Sequence, residues 1–210
     1  MPRAHTPAER ERIHGLLLQA GLEGFTRVGL AKLTIADLAR DAGIGKGSFY
    51  QFFASKEELF LAVQEQEEAA FKATLVRELE RAGSGRAAVR TLLVATATRL
   101  DEHPFLRRLL DPETLSELTL RMPPERLAAH QEADRRYFEE LLAAWKRRGW
   151  LRPEVEPSLA FDVLTAVFSI TLQRELVGVE ATERAVAEIA EAVAARWCPT
   201  PAARAARAAR

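Results

Sequence analysis

Along most of the chain, apolar residues recur every three or four positions, the period of a helix buried on one face, and strand-like alternation is scarce. The pattern predicts a first helix over about Ala8 to Val28, with Ile13, Leu16, Leu17, Ala20 and Phe25 near one face. Thr34 is placed to cap a short helix, IADLARDA, whose Ile35, Leu38, Ala39 and Ala42 share a face and which Gly43 ends. A third short helix, about Lys46 to Phe53, follows after a tight turn. Ser55 opens a long helix to about Arg81, with Glu57 and Glu58 in its first turn, where carboxylates suit the helix dipole. The next helix, about Arg86 to Glu102, sets Val89, Leu92, Leu93, Thr96 and Leu100 on one stripe and stops before Pro104. Pro112, Pro123 and Pro124 break the following stretch into short helices. Glu125 to Arg148 carries a stripe of Leu127, Tyr137, Phe138, Leu141, Leu142 and Trp145. Two further helices, about Ser158 to Leu176 and Thr182 to Trp197, complete an all-α chain.

Composition narrows this picture. A chain of 210 residues, 48% hydrophobic and 29% charged, has the length and apolar content for a real core. Formal net charge is zero, so bulk charge does not announce a nucleic-acid partner, and a DNA-binding reading must rest on local placement of cations. The single cysteine, Cys198, cannot form an intramolecular disulfide. The polar N-terminus lacks an apolar signal core, and the most apolar run, Ser158 to Leu172, is shorter than a membrane span and includes Asp162. A cytoplasmic location without membrane association is expected.

The stretch DAGIGKGSFYQFF, Asp41 to Phe53, raises the sharpest functional question. A phosphate-cradling P-loop needs glycine where Arg40 stands, Ser or Thr where Gly47 stands, and a strand beforehand; none is present. A helix-turn-helix needs two short helices and a tight turn, often with glycine. Gly43 supplies the turn, Ile44 is its apolar anchor, and small Ala39 permits close helix approach. Phe49 and Phe53, four apart, face the core together. That leaves Lys46, Ser48, Tyr50 and Gln51 pointing outward, all hydrogen-bonding types suited to phosphate oxygens and base edges.

The longer stretch LTIADLARDAGIGKGSFYQFFASKEELF resembles the N-terminal signature of the TetR family of transcriptional regulators. The matching positions are Thr34, Ile35, Ala36, Ala42, Gly43, Ile44, Lys46, Gly47, Tyr50, Phe53, Lys56, Glu58 and Leu59, within about the first 60 residues. Two positions depart from the common form. Gly45 stands where Ser often caps the recognition helix, and Gln51 where His is frequent. The resemblance implies an N-terminal helix-turn-helix DNA-binding domain over residues 1–54 and a helical effector-binding and dimerisation domain over 55–197, followed by a basic low-complexity tail at 198–210. It implies DNA contacts at Thr34, Lys46, Gly47, Ser48, Tyr50, Gln51 and Lys56. Lys46 and Ser48 lead the end of the helix that enters the major groove, Lys46 serving either a guanine edge or a phosphate. Thr34 lies at a helix N-terminus suited to a phosphate; Tyr50, Gln51 and Lys56 are expected phosphate clamps, and Gly47 would let the backbone approach the duplex. Arg27 and Lys32 flank the motif as weaker attraction or solvated surface.

The remaining two-thirds supports the second domain on its own residues. Ser158 to Leu176 is apolar nearly all round and calls for burial on two sides, whereas Thr182 to Trp197 has one clean stripe. These two helices are the expected homodimer interface; the bland alternative is that they complete a monomer core. Effector contacts are expected among Phe71, Leu93, Thr96, Leu100, His103, His130, Asp134, Phe138, Leu142, Trp145 and Phe168, a set whose apolar excess suggests a hydrophobic or amphipathic small molecule. The four histidines are scattered without metal-ligand spacing and no nucleophile–base pair is legible, so neither metal, cofactor nor enzymatic activity is expected. The expected function is a ligand-responsive regulator, a homodimeric repressor of a near-palindromic operator. The alternative is a helical adaptor whose DNA-reading face is vestigial.

Overall fold

The computed structural model describes residues 6–200, with the side chains of all of these except Thr96, Leu100, Asp101 and Leu110. The expected tail from residue 201 onward lies outside the described residues. Every regular element among them is helical: α1 (Pro7–Val28), α2 (Ile35–Asp41), α3 (Lys46–Phe49), α4 (Lys56–Arg81), α5 (Gly85–Thr98), α6 (Pro112–Arg121), α7 (Pro124–Arg147), α8 (Pro157–Leu172), α9 (Arg174–Val177) and α10 (Val179–Trp197). Short 3-10 turns follow α5 at Arg99–Glu102 and precede α6 at Leu106–Leu110. None of the described helices is long and apolar enough to cross a membrane.

The chain gathers into two compact units that divide within α4. One comprises the chain up to Phe71 together with Glu102–Pro124; the other comprises Lys72–Asp101 together with the chain from Glu125 onward. The first unit keeps the start of α4 because Leu59, Phe60, Leu61 and Val63 are almost fully buried in it. Phe60 meets Phe25 of α1 edge-on at 5.1 Å and Phe105 at 5.0 Å, so α1, α4 and the segment before α6 share one aromatic core.

In the second unit α5 packs along α10 and against α8. Its buried face is Ala88, Val89, Leu92, Leu93 and Ala95; α10 brings Val186, Ala190, Ala194 and Trp197, and α8 brings Ala160, Leu164 and Val167. The alanines keep these side-chain ridges low, which suits close helix approach. At the edge, Glu191 of α10 receives Arg86 at 3.1 Å and Arg90 at 2.5 Å. Two expected helices are shorter than their apolar patterns. The helix from Arg86 tightens to 3-10 at Arg99, and Ser158 to Leu176 breaks at Gln173, whose φ of −99° and ψ of 12° leave the α ladder. Thr165, Ser169 and Thr171 each donate to the carbonyl four residues back, a bond that bends helices and precedes this break.

Gly85 opens α5 behind the Ser84 cap, whose hydroxyl accepts from the Ala87 amide at 3.2 Å. A Cβ there would lie 2.4 Å from the Trp150 carbonyl oxygen and 2.7 Å from its Cβ. The obstacle is backbone, which cannot rotate away. Gly85→Ala is therefore expected to destabilise the chain by about 1–3 kcal/mol, seen as a lower denaturant midpoint at unchanged slope.

Candidate nucleic-acid interface

The turn between α2 and α3 is closed by a reciprocal backbone pair. Gly43, at φ +69°, donates to the Arg40 carbonyl at 3.0 Å, and Ile44 donates to the Ala39 carbonyl at 2.9 Å. This is the Schellman end of a helix, with glycine at the left-handed position. Gly45 follows in extended conformation and starts α3 without a side-chain cap. The α-helix is four residues long, shorter than expected. Phe49 is the last; i→i+3 bonds of Gln51 to Ser48 and Phe52 to Phe49 carry the turn to Phe53. The Ala54 amide is then taken by the Glu58 carboxylate at 2.6 Å, which redirects the chain into α4.

Phe49 and Phe53 are buried, their rings 6.0 Å apart, and His14 of α1 stacks on Phe53 at 5.2 Å. Over that floor the opposite face of α3 turns outward. Lys46, Gly47 and Gln51 are exposed, Ser48 is half-buried, and Tyr50 is 54% exposed with its ring braced edge-on by Phe49 at 5.7 Å. A Cβ at Gly47 would meet no atom of the chain, so nothing internal requires glycine there. Arg10, which the sequence pattern did not mark, joins this face: its Nη2 donates to the Gln51 carbonyl at 3.3 Å and its guanidinium lies 5.1 Å from the Phe52 ring centroid.

Two expected contacts stand elsewhere. Thr34 forms a capping box with Asp37: its hydroxyl accepts from the Asp37 amide at 3.2 Å and donates to Oδ2 at 2.6 Å, and its own amide donates to Oδ2 at 3.3 Å. That bond, ahead of the neighbouring Arg40 guanidinium, holds the Asp37 carboxyl below its ordinary pKa. The N-terminus of α2 thus already faces a carboxylate of its own. The T-x-x-D spacing carried this signal. Lys56 turns inward, its side chain 16% exposed. Its ammonium donates to the carbonyls of Leu30 at 2.6 Å and Ala31 at 3.2 Å and pairs with Glu117 at 3.5 Å, three acceptors for three N–H groups. Arg27 and Lys32 are exposed.

The expected effector residues divide between the units. In the first, Phe71 and His103 meet edge-on at 5.2 Å. In the second, Asp134 of α7 pairs with Lys72, whose ammonium lies 5.4 Å from the Tyr137 ring centroid and 5.9 Å from that of Phe138. His130 Nε2 is 3.9 Å from Asp134, and Phe138 tilts against Phe161 at 6.1 Å. Burial raises the Tyr137 pKa, against a smaller pull from the Lys72 charge. Leu93, Leu142 and Trp145 are core, at most 1% exposed, and Phe168 is half-buried. Thr96 and Leu100 have side chains outside the described set. An open groove of the first unit, between α1 and α2, is lined by Gln19, Glu23, Arg27, Arg40 and other residues, and takes in none of these positions.

α8 presents a second feature. Its buried residues lie on one face only; Leu159, Ala166 and Ile170 are exposed at helical spacing on another, with half-buried Val163 between them. Leu176 and Val177 of α9 and Val179 of α10 are exposed as well.

Residues 17–63 match the family model of bacterial regulatory proteins, tetR family. Over 49 residues the chain is 41% identical to YvdT of Bacillus subtilis strain 168, an uncharacterized HTH-type transcriptional regulator; the match takes in 23% of this chain and about a quarter (25%) of that relative. Two solved structures share the fold over nearly the whole chain. One is a TetR-family transcriptional regulator of Pectobacterium atrosepticum, 22% identical, TM-score 0.62, covering 90% of this chain and 93% of its own. The other is Thermus thermophilus FadR, a TetR-family transcriptional repressor in complex with lauroyl-CoA, 22% identical, TM-score 0.65, covering 91% and 98%. At these identities the likeness is one of fold.

Proposed function

We propose that the chain, whose residues 17–63 match the tetR family of bacterial regulatory proteins, is a member of that family and a DNA-binding transcriptional regulator, a homodimeric repressor released from a near-palindromic operator by a small molecule. One observation carries the DNA-reading part. α3 and the residues just after it sit behind a glycine-closed turn on a floor of Phe49 and Phe53, with Lys46, Gly47, Tyr50 and Gln51 exposed and Ser48 half-buried. Buried aromatic residues fix the element; polar and exposed ones are left over for a partner. Lys46 and Ser48 head the helix end that enters the major groove, and Tyr50 and Gln51 reach phosphates. Thr34 serves its own helix first, and Lys56 acts from within the domain.

Residues 1–54 do the reading in this proposal, and 55–197 bind the effector and the second copy. The exposed apolar face of α8 with Leu176 to Val179 is the dimer surface, because such a face stays in water only at a cost. The effector has an apolar body, as lauroyl-CoA has in the related fold, and the half-buried candidates Phe138 and Phe168 suit it, whereas Leu93, Leu142 and Trp145 are sealed in the core. Asp134 and His130 are the polar groups that orient it. Release follows from differential affinity: an effector that favours the non-binding state must itself bind less well when operator is present.

Selection of bound sites from a random duplex library with the purified chain tests the reading. The expected product is a motif with two-fold symmetry and half-sites roughly 34–36 Å apart or somewhat more. A pool that enriches nothing at low salt would instead favour the adaptor alternative.

A further inference from the structure

We propose that Arg108 and Lys56 form a two-cation clasp that fixes the α1–α2 connection, and so sets where the recognition turn is held; the inference rests on the DNA-binding reading above. α1 ends at Gly29, whose amide returns to the Phe25 carbonyl at 2.9 Å. The carbonyls of Thr26, Arg27 and Val28 are then beyond the helix ladder and need other donors. Arg108, from the 3-10 turn before α6, supplies them to the first two. Its Nε and Nη2 donate to the Thr26 carbonyl at 3.1 and 2.6 Å, and Nη2 also donates to that of Arg27 at 3.2 Å. A cation at a helix C-terminus is favoured by the helix dipole as well.

Lys56 continues the grip along the same strand of carbonyls, at Leu30 and Ala31. It is itself held by Glu117 of α6, which Arg121 reaches at 3.3 Å; Arg121 also lies 3.9 Å from Glu57, whose side chain is 6% exposed. Four carbonyls between residues 26 and 31 are thereby bound by two cations, and Thr34 starts α2 only three residues later. Both cations depend on the Glu102–Pro124 segment, one by origin and one through Glu117. That segment belongs to the first compact unit, yet the chain enters it from Asp101 and leaves it into Glu125, both in the second. The clasp is thus joined by covalent chain to the second unit at both of its ends. Neither cation is spent on solvent or offered to a phosphate: each acts on DNA binding through the position of α1 and α2.

The test uses the full chain, the duplex that the wild-type chain selects from a random pool, and copies of it with one base pair added or removed between half-sites. Arg108→Gln is expected to bind about tenfold more weakly, as when only a tenth of the molecules keep the competent arrangement. Its half-site bases and salt slope should match wild type, while its preference for one spacing flattens. Arg108→Lys, which keeps a charge and a donor at Thr26, should recover most of the affinity and the spacing preference. If Arg108→Gln does not fold, as judged by its melting curve, Arg108→Lys and Glu117→Gln carry the test, with smaller shifts of the same kind. Unchanged affinity and spacing in the folded variants overturns the clasp, and so does a salt slope lowered as for a lost phosphate contact. A wild-type chain that selects no duplex removes the DNA-binding premise and the clasp's role with it, an outcome distinct from variants that match a binding wild type.

Discussion

Lys46→Ala with Tyr50→Ala is expected to weaken binding to the selected operator by 100-fold or more, at unchanged melting temperature. Both side chains stand in solvent on the outer face of α3, so little packing is lost within the chain. Each contact to a base edge or phosphate is worth about 1–3 kcal/mol, and a two-fold dimer loses every contact twice. The single variants then divide the roles. The Tyr50 hydroxyl is neutral, so its loss should lower affinity and leave the salt slope alone. Lys46 distinguishes its two possible partners. If it meets a phosphate in each half-site, Lys46→Ala lowers the slope by about two and affects all sequences alike. If it meets a guanine, the slope holds and one position of each half-site relaxes. Electrophoretic mobility shift or fluorescence anisotropy across a salt series reads both. Wild-type affinity in the double variant would exclude this face as the DNA contact.

The features that sequence disclosed were those made locally. Thr34 begins a helix because its hydroxyl reaches a backbone amide three residues on, and Gly43 ends that helix because the turn needs a positive φ. Both causes lie within the helix they bound. Phe49 and Phe53 fall on one side for the same reason, by spacing alone. What stayed hidden was set by distant partners. Nothing near Lys56 indicates that its ammonium turns away from the surface; the reason is two carbonyls some 25 residues earlier and a glutamate some 60 residues later. Arg108 sits in an unremarkable LRRLL run, and Arg10 in a polar helix start, yet each completes a carbonyl from another element. The break of the eighth helix at Gln173 has no glycine or proline to announce it.

The effector candidates show the other limit. An apolar stripe states that a residue is buried and does not state against what. Leu142 and Trp145 share a stripe with Phe138, but the first two are sealed in the core and the third remains half-open beside Lys72 and Phe161. Asp134 and His130, four residues apart, precede Tyr137 and Phe138 on the same helix. Asp134 is drawn to Lys72, a partner from another helix that pattern alone could not supply. Phe138, Asp134 and His130 are accordingly better effector contacts to mutate than Leu142 or Trp145, whose loss would unfold the unit before it tested a ligand.

Leu159→Asp with Ile170→Asp is expected to convert the proposed dimer to a monomer and to weaken binding to the full operator by about 100-fold or more, the usual scale of lost bivalency. α8 carries more apolar surface than one chain buries. Sequence gives it apolar residues nearly all round, but within one chain only the face of Ala160, Leu164, Val167 and Thr171 is buried. Leu159 is left 60% exposed and Ile170 36%, and Leu176 beyond the helix reaches 85%. A second copy would cover this surface, and two carboxylates on it would have to be desolvated without partners. Because neither position is core, the single chain should keep its helical content and its melting curve at low concentration. Sedimentation equilibrium would show the monomer mass, and anisotropy on a single half-site would show affinity close to that of the wild type. A dimer that persists with full operator affinity would refute this surface as the interface. A monomer that still binds the full operator tightly would refute the bivalent reading of the operator itself.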